Sequence, residues 1–183
     1  MLELYIPPRE YYDEAREIFV KTNAVSLQLE HSLISISKWE SKWQKPFLAT
    51  KDKTLEESLD YFSCMTLTKN VDPLIYYSFT EDIMKKIQDY MNAPMTATWF
   101  SDDKKHRGGR GSREIVTAEI IYYWMITLNI PFDCQKWHIN RLLTLIRVCS
   151  IKNAPPKKMS QKAVAQQYKA LNASRRQALN SRG

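Results

Sequence analysis

Glycine is scarce in this chain, four residues in 183. So few argue against sandwiches and barrels, which need many tight turns, and against repeated glycine-rich phosphate loops. Helix is the expected material. Cysteine is scarce too: Cys64, Cys134 and Cys149 are too few and too scattered for a disulfide framework, so a reducing compartment is expected. The opening Met1-Leu-Glu-Leu-Tyr-Ile-Pro-Pro lacks the basic segment and apolar run of a secretion signal, and no stretch approaches the ~20 apolar residues of a membrane span. A soluble protein without membrane contact is expected. The phosphate-loop spacing GxxxxGKS/T and the metal-type spacings CxxC, HExxH and HxH are missing as well.

What is present is a real core and an uneven distribution of charge. Hydrophobic residues make up 44% of the chain, enough to bury the interior of one domain, or of one domain with an appendage. The net charge of +7 is concentrated at one end. Residues 151–183 carry Lys152, Lys157, Lys158, Lys162, Lys169, Arg175, Arg176 and Arg182 with no Asp or Glu, whereas the first 150 residues balance 19 basic against 20 acidic side chains. A near-neutral body followed by a cationic arm is the asymmetry of an interaction tail. Pro155-Pro156 marks the junction, because paired prolines cannot continue a helix.

Along the body, Leu2–Ile6 and Ile18–Val20 read as short strands, and Val25–Glu30 alternates apolar Val25, Leu27 and Leu29 with Ser26, Gln28 and Glu30. From Ser32, an N-cap residue type, the period changes: Leu33, Ile36, Trp39 and Trp43 recur at steps of three and four up to Pro46. Ser37-Lys-Trp-Glu40 offers a later start with capping-box spacing. Thr54-Leu-Glu-Glu57 is a further capping box, opening a helix over about 54–66 with Leu55, Leu59, Phe62 and Met65 on its apolar stripe. Thr80, with Glu81 and Asp82 in the first turn, opens another helix, which carries Ile83, Ile87 and Tyr90 or Met91 and ends before Pro94.

Residues 101–112 hold three of the four glycines and no apolar side chain, and are expected to form a mobile loop. Arg113–Asn129 reads as a helix apolar on all sides, expected in the middle of the core. After Pro131, Asp133 is the expected cap of a helix presenting Ile139, Leu142, Leu143, Ile146 and Cys149, and the two helices are expected to pair as an antiparallel hairpin. Ser160 can cap a helix over roughly 161–179 whose thin stripe is Val164, Tyr168, Leu171 and Leu179. Such a helix is marginal alone in water and is expected to fold against a partner.

Chemistry-bearing residues are few. Cys134 and His138 lie one helical turn apart, a spacing compatible with a metal or a nucleophile–base pair. They read better as two partly buried helix residues, since His31, His106, Cys64 and Cys149 supply no matching ligand spacing. Arg107-Gly-Gly-Arg-Gly resembles a single RGG unit, but a solvated loop tolerates the same residues. Trp39, Trp43 and Trp124 fall on apolar faces or runs, leaving Trp99 as the exposed candidate. The cationic tail has three physical readings: neutralising phosphates, lying on an acidic helical protein, or keeping the chain in solution. Its periodic stripe favours a protein.

Leu29-Glu-His-Ser-Leu-Ile-Ser-Ile-Ser-Lys-Trp-Glu-Ser-Lys-Trp-Gln-Lys-Pro-Phe-Leu48 followed by Lys51-Asp-Lys-Thr-Leu-Glu-Glu57 resembles the tail assembly chaperones of siphophages, which are tailed bacteriophages. The likeness extends through Met95–Phe100, Arg113–Pro131 and Trp137–Lys158. The resemblance implies a helper in the host cytoplasm, absent from the mature virion, that holds the tape-measure protein and recruits tail-tube subunits. It carries no catalytic signature and no cofactor.

The expected fold class is α+β: a mostly helical domain over residues 1–154 with a small N-terminal antiparallel sheet and a core hairpin at about 113–151, then a basic C-terminal helix in a tail at 155–183. The expected function is binding, not catalysis. Lys157, Lys158, Lys162, Arg175 and Arg176 are expected to supply attraction, while Val164, Tyr168 and Leu171 dock on the partner. The rivals are a neck or tail-completion protein that stays in the virion, and a basic nucleic-acid-binding module using residues 104–113 and the tail.

Overall fold

The computed structural model describes residues 1–13, 17–100, 115–154 and 161–179, with only the backbone described for Arg9, Tyr11, Asp13, Ile18, Val20 and residues 161–164. The loop expected at 101–112 and the Pro155-Pro156 junction lie outside the described residues. By backbone packing the chain divides into two compact units, Met1–Ser150 and Ile151–Gly183.

The fold class is α+β and mostly helical. Its N-terminal strands are β1 (Leu2–Ile6), β2 (Arg9–Asp13), β3 (Ile18–Thr22) and β4 (Val25–Leu29). β1 pairs antiparallel with β4 from Leu2↔Leu29 to Ile6↔Val25, and β2 with β3 from Arg9↔Thr22 to Asp13↔Ile18. The two ladders keep one register, so they are a single long hairpin interrupted where Pro7 and Pro8 have no N–H to donate. β2 was not legible in the sequence, because Arg9-Glu-Tyr-Tyr-Asp13 shows no apolar alternation. Leu4, Ile6, Leu27 and Leu29 face the core. The segment after the second helix covers part of the outer edge of β4, with the Leu67 N–H donating to the Gln28 carbonyl at 2.8 Å.

The helices are α1 (Leu33–Trp43), α2 (Leu55–Met65), α3 (Glu81–Asn92), α4 (Ala118–Thr127), α5 (Ile139–Asn153) and α6 (Gln161–Leu179), with 3-10 turns at Pro73–Ser78 and Phe132–Lys136. Local chemistry accounts for three of the starts. Ser32 caps α1, Thr80 caps α3, and Thr54 with Glu57 forms a complete capping box on α2. The later start at Ser37 is not used. Gln44 ends α1 in the left-handed conformation at φ 51°.

α4 departs from expectation. It begins at Ala118, not at Arg113, and only Ala118, Ile121 and Met125 are buried on it, while Tyr123 and Ile126 are 64% and 59% exposed. Hydropathy tells which residues are apolar, not how many neighbours the fold supplies. α4 packs its backbone on α1, which packs on α2, and the expected α4–α5 hairpin is not the central pair. Leu55, expected on the apolar stripe of α2, is likewise 64% exposed. The core gathers Ile36 and Trp39 of α1, Leu59 and Met65 of α2, Ile87 of α3, Ile121 and Met125 of α4, and Ile139 and Leu142 of α5.

Candidate functional site

Of the residues that carry the family resemblance, Trp39, Glu40, Phe47 and Glu57 turn inward, while Lys38, Lys42, Gln44, Lys45 and Leu48 stay exposed. The Trp39 indole N–H donates to the Glu57 carbonyl at 2.8 Å, and the Trp43 indole N–H donates to the Asp60 carboxylate, also at 2.8 Å. The Lys42 ammonium bonds the same Asp60 carboxylate. Glu40, buried at the end of α1, accepts from the Phe47 N–H and from the Ala118 N–H, each at 2.7 Å, tying the following loop to the first turn of α4. The buried Glu57 carboxylate accepts from Lys45 at 2.5 Å and from the Thr54 N–H at 2.9 Å; these bonds, Lys45 foremost, hold it below the usual carboxylate range. Lys53 lies over the Phe47 ring, 4.2 Å from its centroid, and donates to the Phe47 carbonyl. These side chains hold α1, α2 and α4 together.

A second polar cluster joins the starts of α1 and α5 to the end of α3. Cys134 and His138 do not share a helical face as their spacing suggested. Cys134 is buried in the 132–136 turn, and His138 immediately precedes α5. Its Nδ1 accepts from the Asn140 N–H at 3.3 Å, which leaves Nε2–H to donate to the Tyr90 carbonyl at 3.1 Å. His138 therefore caps the start of α5 and the end of α3 at once. Asn140 adds two bonds from its amide to the Met91 and Ala93 carbonyls, and the Ile139 N–H donates to the His31 carbonyl at 2.7 Å. Asp133, the expected cap, sits exposed in the preceding turn, too early in the chain to reach the first N–H groups of α5.

The His31 ring packs edge-on to His138 at 5.1 Å, and its Nδ1 is 2.5 Å from the Tyr61 hydroxyl. Burial, then His138, then Lys53 push the His31 imidazole down to about 3. Burial also lowers His138, against the Tyr90 carbonyl, which pulls the other way. Among the described residues no group of three or more His, Cys, Asp or Glu is placed to hold a metal ion.

The predicted partner-binding residues lie elsewhere. α6 spans Gln161–Leu179, ~28 Å of helix, and every described side chain from Ala165 to Leu179 is exposed. Tyr168 is 65% exposed and Leu171 41%, three residues apart and so on one side of the helix. Arg175 and Arg176 are exposed near its end. Lys162 and Val164 lie on the helix backbone, and Lys157 and Lys158 lie outside the described residues, as does the Arg107-Gly-Gly-Arg-Gly segment. Trp39 is fully buried and Trp43 and Trp124 half-buried, while Trp99 is 91% exposed. Among the described residues no helix is long and apolar enough to cross a membrane.

Sequence reasoning missed one feature of this charge distribution. The last acidic residue is Asp133, so the 50 residues that follow hold 11 Lys and Arg with no carboxylate side chain, and the first 133 are acidic, 16 basic against 20 acidic. The cationic region therefore begins inside the folded body, on α5, where Arg141 lies over the Trp137 ring at 4.2 Å and Arg147 over the Phe100 ring at 3.9 Å. The signal was present in the sequence but hidden by drawing the charge boundary at the end of the folded region. No family model, no curated protein and no solved structure matches the chain.

Proposed function

We propose that this protein is a non-enzymatic assembly factor, a siphophage tail assembly chaperone that binds the tape-measure protein and helps recruit tail-tube subunits in the host cytoplasm. The identity of the partners comes from the resemblance at Leu29–Leu48 and Lys51–Glu57. The observation that carries the binding reading is α6, an exposed helix without acidic residues whose side chains Tyr168 and Leu171 share one face. Exposed aliphatic and aromatic groups add little to phosphate contact, whereas a helix lying on an apolar, acidic groove buries them. Lys157, Lys158, Lys162, Arg175 and Arg176 supply long-range attraction, and Val164, Tyr168 and Leu171 supply the contact. An arm that gains order on contact gives reversible binding to an elongated partner, as a factor that must leave the finished particle requires.

Co-expression of the chain with its neighbouring tail proteins, followed by pull-down at low and moderate salt, tests this. The full chain is expected to retain the tape-measure protein, and deletion of 155–183 to abolish retention while the body keeps its melting temperature. Retention by the deleted chain overturns the tail assignment. Detection of the protein in purified virions favours the structural rival, and tight nucleic-acid binding with a salt slope of several units favours the nucleic-acid one.

A further inference from the structure

The joint between α3 and α5 is built on one neutral ring, and its two halves respond differently to a proton. We propose that His138 is an acid-sensitive latch: protonation of its Nδ1 releases the first turn of α5 while the ring keeps its hold on the end of α3. The inference goes beyond the reading of α6 and does not depend on which partner the protein binds.

The hydrogen bonds carry the argument. The Asn140 N–H donates to His138 Nδ1 at 3.3 Å, so that atom presents a lone pair, and Nε2–H donates to the Tyr90 carbonyl at 3.1 Å. A proton on Nδ1 sets a second donor against the Asn140 N–H and ends that bond. The bond to Tyr90 survives, because Nε2 donates in both forms and a cationic donor bonds more strongly. Helix polarity acts in the same direction. Tyr90 lies in the last turn of α3, where positive charge is favourable, whereas His138 immediately precedes α5, where it is not. The first turn of α5 has no Asp or Glu to offset the charge and carries Arg141. The His138 carbonyl also accepts from the Leu142 N–H at 3.1 Å, so a shift of this residue is felt through that turn.

The surroundings decide which imidazole takes the first proton. His31 faces the Tyr61 hydroxyl of α2, the His138 ring and the Lys53 ammonium, and burial, His138 and Lys53 all oppose its charge. For His138, burial and the Met1 amino group oppose the charge, while the Tyr90 carbonyl and the Glu30 carboxylate favour it. Glu30 is itself shared between the Tyr90 hydroxyl at 2.6 Å and the Met1 amino group at 3.0 Å. His138 therefore charges first, and its charge then holds His31 neutral.

The test is amide hydrogen exchange of the full, isotope-labelled chain followed by NMR from about pH 7.5 to 5.5, each rate corrected for the intrinsic rate at that pH. Protection of the Asn140 N–H is expected to fall severalfold to about tenfold, the amount set by a ring that titrates ordinarily when the turn is open and resists protonation when it is closed. At the lower pH the Ser58 N–H of α2 is expected to stay at least tenfold better protected than Asn140, as a local opening requires. His138→Asn keeps an acceptor at a cap position but does not titrate, and is expected to reduce the fall at Asn140 to less than twofold. His31→Phe is expected to keep it.

Equal protection of the two helices overturns the proposal, since the chain then opens only as a whole. Loss of the acid effect in His31→Phe but not in His138→Asn also overturns it, by moving the sensor to His31. Should the variants fail to fold, nitrogen spectra of the histidine rings in the unaltered chain decide. His138 Nδ1 is expected to lack a proton at pH 7.5 and to gain it with the same midpoint at which the Asn140 amide signal moves. A protonated Nδ1 at pH 7.5, or an Asn140 amide indifferent to the titration of the ring, refutes the latch.

Discussion

The segment from Leu29 to Thr66 and the helix α6 both mix polar side chains with large apolar ones, yet they use them in opposite ways. In the first, the indoles of Trp39 and Trp43, the carboxylates of Glu40 and Glu57 and the ring of His31 all find partners within the body. In the second, Tyr168, Leu171, Arg175 and Arg176 face water. A distinctive sequence block can therefore be a framework, while a compositionally plain segment leaves its side chains in water. The cost of ordering a side chain is met inside the body by its native contacts, whereas the exposed side chains of α6 from Ala165 to Leu179 have no such burial to offset it.

The sharpest way to break this comparison is to truncate one aromatic in each region. Trp39→Ala removes a fully buried indole and its bond to the Glu57 carbonyl, and is expected to cost ~3–5 kcal/mol, whereas Tyr168→Ala is expected to stay within ~0.5 kcal/mol. Denaturant unfolding of the two variants measures both, and similar losses would show that α6 belongs to the cooperative unit after all. Next in size is Glu40→Ala, which strips the acceptor from two backbone donors 78 residues apart on α4 and 7 apart on the loop, an expected loss of ~2–4 kcal/mol read from the same unfolding curves.

A smaller, pH-dependent effect separates the regions differently. His31 and His138 are held neutral in the fold, so the unfolded chain binds protons that the folded one refuses once the pH drops below the ordinary histidine value near 6.5. Stability contributed by the His31 depression is thus full above about 6.5 and declines as the pH falls toward about 3, by ~2 kcal/mol at pH 5 for His31 alone. Thermal melts from pH 7.5 to 5 are expected to show this decline in the whole chain and a flatter profile in His31→Phe. An unchanged slope in that variant would assign the acid sensitivity elsewhere. α6 has no histidine, so deleting 155–183 is expected to leave the slope unaltered.

How much was legible follows from where each partner lies. Ser32, Thr54 and Thr80 were readable as caps because their bonds close within three residues. The starts of α4 and α5 were not. Glu40 bonds the Ala118 N–H from far along the chain, and an imidazole acts as the cap of α5. The candidate site divides the same way. The thin apolar stripe and the positive charge of α6 show in spacing and composition, while the placing of Arg147 over Phe100 joins residues 47 apart and leaves no local signature.

The sequence by itself determined the helical period, three caps, the strand alternation at Val25–Leu29 and the concentration of positive charge toward the C-terminus, because each is a property of neighbours along the chain. Only the tertiary structure decided that Trp39, Glu40 and Glu57 of the most recognisable block are interior, that α4 leaves Tyr123 and Ile126 in water, and that Arg147 lies over Phe100. Burial and long-range hydrogen bonding depend on which surfaces meet, and that is fixed by packing the elements together.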